Sequence, residues 1–365
     1  ESDVHNYPLL DINSTPGKVK SIKYPMAGQK SEYAKIGVYD LENKKTIFLK
    51  LQQPKDHYVS NLSWGPNGQY IYIAELNRDQ NHLKWAQYNP NSGLRIKTIY
   101  EETNNKWVEP EYPIYFLPNK ENEFITLSER DGYMSLYHYN TAGKLIKKIL
   151  ENKWVITKIL DVLENKIFFE GTGEDPRSVH AFSINIDGTE LKKITTEKGI
   201  HSTQISPNHK FILDQYSNSK TPGITQLINL ENFKTNLIHE SENPLDNYSI
   251  GKTEMLKITN SNNDELYGRL IKPLNFDVNK KYPVLIYVYG GPHAQLVKNN
   301  WLNGASLWMY WMAQQGYLIF TIDGRGSENR GFEFESSIFR NLGVNEMKDQ
   351  IAGLDYLKSL NYVDS

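Results

Sequence analysis

Two glycine-rich turns late in the chain carry residue types suited to chemistry on a carbonyl. The first is Tyr287-Val-Tyr-Gly-Gly-Pro-His293, at the end of an apolar run. Glycines there let backbone approach a reacting atom closely, and such turns can supply part of an oxyanion hole. A plain strand-to-loop turn has the same composition, so the motif alone leaves both readings open. The second is Asp323-Gly-Arg-Gly-Ser-Glu-Asn-Arg-Gly331. Taken alone, its charges read best as a solvated loop. A phosphate loop is excluded, because no Gly-Lys-Ser/Thr follows.

A nucleophile does not accompany these turns. Gly-x-Ser-x-Gly occurs nowhere, and Gly304-Ala-Ser306 lacks the second glycine. There is no cysteine, which excludes disulfides and thiolate metal sites. The nine histidines show no metal-ligand spacing with an acidic partner, so neither metal nor cofactor is expected. The formal net charge of −2 gives no basis for a nucleic-acid or anionic-membrane partner. No apolar run approaches the roughly 18 residues of a membrane span. The chain opens on Glu1-Ser-Asp without a methionine and stops at Ser365, and it reads as an internal piece of a longer protein.

The elements that position these turns differ between two halves. Aromatics make up 12% of the chain and include 24 tyrosines, a composition suited to pleated, half-buried surfaces. From residue 19 to about 240, short strands alternate with turn signals at a period of about 40–45 residues. Asn61-Leu-Ser-Trp-Gly-Pro-Asn-Gly68 precedes Gln69-Tyr-Ile-Tyr-Ile-Ala74, and Thr203-Gln-Ile-Ser-Pro-Asn208 precedes Lys210-Phe-Ile-Leu213. Ile114 to Asn119 and Val162 to Asn165 play the same part before Glu123-Phe-Ile-Thr-Leu127 and Lys166-Ile-Phe-Phe169. Each unit has four strands and cannot bury both faces alone, so a β-propeller is favoured over a β-sandwich. About five units are expected, the first incomplete near residues 19–50.

Pro244 to Asn263 is polar and turn-rich, and it reads as a junction. Leu266-Tyr-Gly-Arg-Leu-Ile271 alternates as a strand. Tyr282-Pro-Val-Leu-Ile-Tyr-Val-Tyr289 and Tyr317-Leu-Ile-Phe-Thr-Ile322 are continuous apolar runs, as in strands buried on both faces. Between them, Ser306 to Gln315 reads as a helix stopped by Gly316. Val344, Met347, Ile351, Leu354 and Leu357 recur at spacings of three and four, giving an amphipathic helix. Alternating strands and helices imply a parallel sheet, the start of an α/β-hydrolase domain. In that fold the triad runs Ser, then Asp or Glu, then His. With no elbow serine, no histidine of this chain can serve as its general base, and His293 reads as a loop residue near the site. The expected domains are 1–245, an incomplete β-propeller, and 246–365, the N-terminal part of a hydrolase domain.

Tyr287-Val-Tyr-Gly-Gly-Pro-His293, Asp323-Gly-Arg-Gly-Ser327 and Asn341-Leu-Gly-Val-Asn-Glu-Met-Lys-Asp-Gln350 together resemble the dipeptidyl peptidase IV branch of the prolyl oligopeptidase family. Tyr7-Pro-Leu-Leu-Asp-Ile-Asn13 and Ile22-Lys-Tyr-Pro-Met-Ala-Gly28 are similar to propeller segments of that branch, and Trp107-Val-Glu-Pro110 and Ser128-Glu-Arg-Asp-Gly-Tyr133 to its bacterial members. The resemblance implies a serine exopeptidase that removes N-terminal dipeptides with proline or alanine at the second position. Tyr289 would then join the oxyanion hole. Trp107 and Glu109 would either line the propeller side of the substrate cavity or serve in packing. The triad Ser, Asp and His is absent from this chain, and the family's paired amine-binding glutamates would precede Glu1. Peptides with a free N-terminus are the implied partners, with a homodimer and a periplasmic or secreted location. A tripeptidyl or acylaminoacyl peptidase of the same family is an alternative. So is a non-catalytic propeller that binds peptides.

Overall fold

The computed structural model describes residues 3–364; Glu1, Ser2 and Ser365, which terminate the two expected domains, lie outside the described residues. The chain divides into two compact units, residues 1–126 with 139–146, and residues 127–138 with 147–365.

The first unit opens with two antiparallel hairpins, Asn6–Asp11 with Lys18–Lys23, and Gly37–Asp40 with Lys45–Phe48. The incomplete early repeat expected near residues 19–50 is therefore shared between two separate two-stranded sheets. A four-stranded antiparallel sheet follows, with Tyr58–Trp64, Ile71–Leu76, His82–Tyr88 and Arg95–Thr103 in chain order. Asn67, in the Pro-Asn-Gly turn before its second strand, takes the left-handed φ of 57° that asparagine tolerates. Ile71–Leu76 is buried along its whole length. Within it Glu75 is neutralised by Arg95 at 3.0 Å and accepts a hydrogen bond from Tyr88. A buried carboxylate is tolerated only with such partners.

Three further four-stranded propeller-type sheets do not all fall in one unit, because the strands of the next one, from Tyr115–Leu117 to Leu145–Lys148, are divided by sequence between the two. The remaining two belong to the second unit: Ile156–Val162, Lys166–Gly171, His180–Asn185 and Lys192–Lys193, then Ile200–Ile205, Phe211–Ser217, Ile224–Asn229 and Thr235–Glu240. The Phe168-Phe169 pair anticipated as strand centre is buried, and Phe169 stacks on Phe182 and Trp154.

The second unit ends in a mixed sheet ordered Thr253–Thr259, Glu265–Ile271, Leu318–Asp323, Val284–Ile286. The last two strands pair in parallel and the others antiparallel. Helix α1, Leu307–Gln314, crosses between the parallel strands and stops at Gly316, whose φ of +92° favours glycine. Leu318–Asp323 is central and buried at all six positions, as its apolar run predicts. Phe320 shares one buried cluster with Leu266, Leu270 and Leu357.

Three expectations are corrected here. The junction at 244–263 contains a strand, Thr253–Thr259, because its alternating residues pair with Glu265–Ile271. Of the run Tyr282–Tyr289 only Val284–Ile286 forms a strand, and it is half-buried in this chain. Helix α3, Val344–Lys358, forms where predicted, but of its apolar stripe only Leu357 is buried in this chain. Met347 and Ile351 are exposed, whereas Asp349, Gly353 and Leu357 are buried. Gly353 permits this, since a Cβ there would lie 2.9 Å from the Phe320 ring.

Candidate active site

The parallel strands end side by side, and ligands of open α/β sheets bind at that carboxyl edge. Tyr287 continues the ladder by donating its N–H to Phe320 O at 2.8 Å. The chain then turns at Gly290 (φ +65°) and Gly291. A Cβ on Gly291 would stand 2.7 Å from Cε1 of Tyr289, so the bare glycine leaves room for that ring. Tyr289 itself is 67% exposed. Its side chain projects from the turn, while the backbone that follows it is tied down.

The ties come from the Asp323 turn. The His293 N–H donates to Gly326 O at 2.8 Å. The Leu296 N–H donates to both Asp323 carboxylate oxygens, at 2.9 and 3.0 Å, and the Val297 N–H donates to Oδ2 at 2.8 Å. Burial holds the Asp323 carboxyl above the usual carboxylate range, opposed by these two N–H donors and by the charge of Arg269. Arg269, 1% exposed on the neighbouring strand, clamps the complementary groups. Its Nη1 donates to Leu296 O at 3.1 Å and Asn303 O at 2.5 Å, and its Nη2 to Thr321 Oγ1 at 3.2 Å. One anion therefore holds the donors of the segment after Tyr289, and one cation holds its acceptors. Buried charges of both signs are compensated.

The second turn is not the solvated loop its charges suggest. Asp323, Arg325 and Ser327 are each 7% exposed. Asp349 of α3 receives Arg325 N–H at 2.7 Å, Nε at 3.0 Å and Nη2 at 2.8 Å, and also Asn260 Nδ2 at 2.9 Å. Gly324 is required beside it, since a Cβ would lie 2.9 Å from the Asp349 Cβ. Sequence reasoning missed Asp323, Arg269 and the Arg325–Asp349 pair. No spacing signal marked them, because Asp349 lies off the apolar stripe of α3 and its partner is distant in sequence.

A propeller-side loop of the same unit reaches this edge. Asn299 Nδ2 donates to Asp175 Oδ2 at 2.9 Å and Ser178 Oγ at 2.7 Å, and Gln295 Nε2 donates to Pro176 O at 2.9 Å. The Arg177 guanidinium lies 4.5 Å over the Tyr267 ring. Phe332 N–H donates to Gly132 O at 2.8 Å. Trp107 and Glu109 belong to the first unit, between Arg95–Thr103 and Tyr115–Leu117. Both are half-buried. Burial, helped by Glu111 and opposed by a hydrogen bond from Trp107, pushes the Glu109 carboxyl up to about 7. Among the described residues no helix is long and apolar enough to cross a membrane.

The comparison with known proteins matches this architecture. Residues 1–223 match the dipeptidyl peptidase IV N-terminal region, and residues 304–365 match the prolyl oligopeptidase family. Human dipeptidyl peptidase 8 is 28% identical, over 83% of this chain and 40% of that protein. A probable dipeptidyl-aminopeptidase B of Arthroderma benhamiae is 27% identical, over 95% and 40%. The solved structure of a putative dipeptidyl aminopeptidase IV from Bacteroides ovatus superposes with a TM-score of 0.93 at 39% identity. It is covered over 55% of its length by the whole of this chain. Porphyromonas gingivalis dipeptidyl peptidase 4 gives 0.90 at 26% identity, over 99% of this chain and 52% of that one. The chain thus spans about half the length of the solved relatives and 40% of these two curated ones. With its four-stranded antiparallel sheets and the parallel strand pair that follows them, the chain is a partial β-propeller leading into an α/β-hydrolase domain, and it belongs to the dipeptidyl peptidase IV branch of the prolyl oligopeptidase family.

Proposed function

We propose that the chain is part of a serine exopeptidase that releases N-terminal dipeptides, with proline or alanine at the second position, through an acyl-enzyme. The observation that carries this reading is Tyr289: an exposed phenol on a turn whose following backbone is fixed by buried charge. A donor that does not have to reorganise can stabilise an oxyanion as it forms. Residues 1–245 would form the propeller portion and 246–365 the hydrolase portion. Trp107 and Glu109 would contact substrate from the propeller. A homodimer is part of the same family reading, and sedimentation of the full-length protein tests it.

The names of the relatives favour dipeptide release over the tripeptidyl and acylaminoacyl alternatives. The experiment uses the full-length protein and a chromogenic Gly-Pro amide. Tyr289→Phe is expected to lower kcat by about 100-fold while KM stays within about threefold, the range for losing one oxyanion donor. An unchanged kcat removes Tyr289 from the oxyanion role, and no release from the Gly-Pro amide removes the dipeptidyl reading.

A further inference from the structure

Tyr289 cannot hold itself in place. Its side chain is mostly exposed in this chain and two glycines follow it. Something outside the turn must fix where the hydroxyl points. Three backbone N–H groups downstream of it reach the same neighbouring turn: His293 to Gly326 O, and Leu296 and Val297 to the Asp323 carboxylate. Asp323 is the last residue of the central strand and is 7% exposed, so its own position is set by the core. Val297, which donates to it, is fully buried. The same segment is held from its carbonyl side by Arg269.

We propose that Asp323 is the positioning residue of the Tyr289 turn, its carboxylate gathering the Leu296 and Val297 N–H groups so that the phenol is held in register for the oxyanion. Asp323 touches no reacting atom; it acts through the backbone of residues 289–297. The proposal rests on the reading of Tyr289 as the oxyanion donor. The chemistry explains why the residue is an acid. Two N–H groups converge on one oxygen, and a charged acceptor makes bonds roughly twice as strong as a neutral one. Asparagine at this position keeps the shape, but loses the charge and turns one amide N–H face toward the Leu296 donor.

The test is a double-mutant cycle in the full-length peptidase with a Gly-Pro amide substrate. Asp323→Asn is expected to lower kcat about tenfold or more with KM within about threefold, since a positioning loss falls on the transition state. Combined with Tyr289→Phe it is expected to add little, because a displaced hydroxyl and an absent one are the same loss. Hydrogen exchange of the peptide spanning residues 289–300 should speed up in Asp323→Asn, while peptides from Ile200–Ile205 keep the parent rate. Unchanged kcat in a folded Asp323→Asn overturns the proposal. Losses that multiply with those of Tyr289→Phe also overturn it, and they leave the oxyanion reading intact. Tyr289→Phe without effect sinks the oxyanion reading, and the positioning role with it. If Asp323→Asn does not fold, Asp323→Glu takes its place with the same criteria, since it keeps the charge and displaces it by one methylene.

Discussion

The Tyr289 and Asp323 turns end adjacent parallel strands and begin with similar glycine-rich chemistry, yet they are built in opposite ways. In the Asp323 turn the side chains are buried and bonded, with Asp349 beneath Arg325 and Ser327 Oγ donating to Gly324 O at 2.6 Å. In the Tyr289 turn the side chains of Tyr287, Val288 and Tyr289 are exposed, and the backbone beyond them is fixed. The difference separates two tasks. One turn is a template whose charges are spent internally; the other is a working surface whose shape is borrowed from the template. Preorganisation is then a property of the pair, because an exposed donor can be precise only if its neighbour is rigid.

The strongest way to break this contrast is to remove the base of the template. Asp349→Ala removes all three hydrogen bonds of buried Arg325 to a carboxylate, leaving only Asp264 at 3.9 Å, and takes one of the two acceptors of Asn260 Nδ2. Breaking a buried pair from one side costs about 3–5 kcal/mol. Loss of that size should appear in denaturant unfolding of the full-length protein, and kcat should fall with it. If Asp349→Ala unfolds like the parent, the template is not held from α3.

How much of this could be read from the sequence follows from how far apart the partners lie. The strand Leu318–Asp323 and the stop of α1 at Gly316 are local signals, an apolar run and a glycine, and both appear as expected. The Tyr289 turn stands out because glycine, proline and aromatic residues cluster within it. The burial of Arg325 does not, because its partner is 24 residues away on a helix. Composition alone made that turn look solvated. The face of α3 was equally hidden. Spacing marks the apolar stripe of Val344, Met347 and Ile351, but the pairing of Asp349 with Arg325 and the bare contact of Gly353 with Phe320 decide which side meets the sheet.

A smaller perturbation separates the working surface from its template. Gly291→Ala places a methyl 2.7 Å from the Tyr289 ring, while the residue's φ is not in the left-handed range. The backbone therefore accepts alanine, and the ring must swing away. Stability should change by less than about 1 kcal/mol, because the ring is exposed and gives way into solvent. Turnover should drop about tenfold, with KM little altered, because the donor leaves its place in the transition state. A Gly291→Ala protein with parental kcat would mean that the position of the ring does not matter.

The smallest expected effect tests the template without touching its charges. Ser327→Ala removes the hydroxyl that donates to Gly324 O across the turn. One neutral hydrogen bond is worth about 1 kcal/mol net, so the unfolding midpoint should fall slightly. Asp323 and Arg325 keep their partners, and the Leu296 and Val297 N–H groups keep their acceptor. Kinetics on the Gly-Pro amide should therefore stay parental. Turnover that falls by tenfold here would show the charged clamp to be insufficient. The geometry of the Tyr289 turn would then depend on every bond of its neighbour rather than on Asp323.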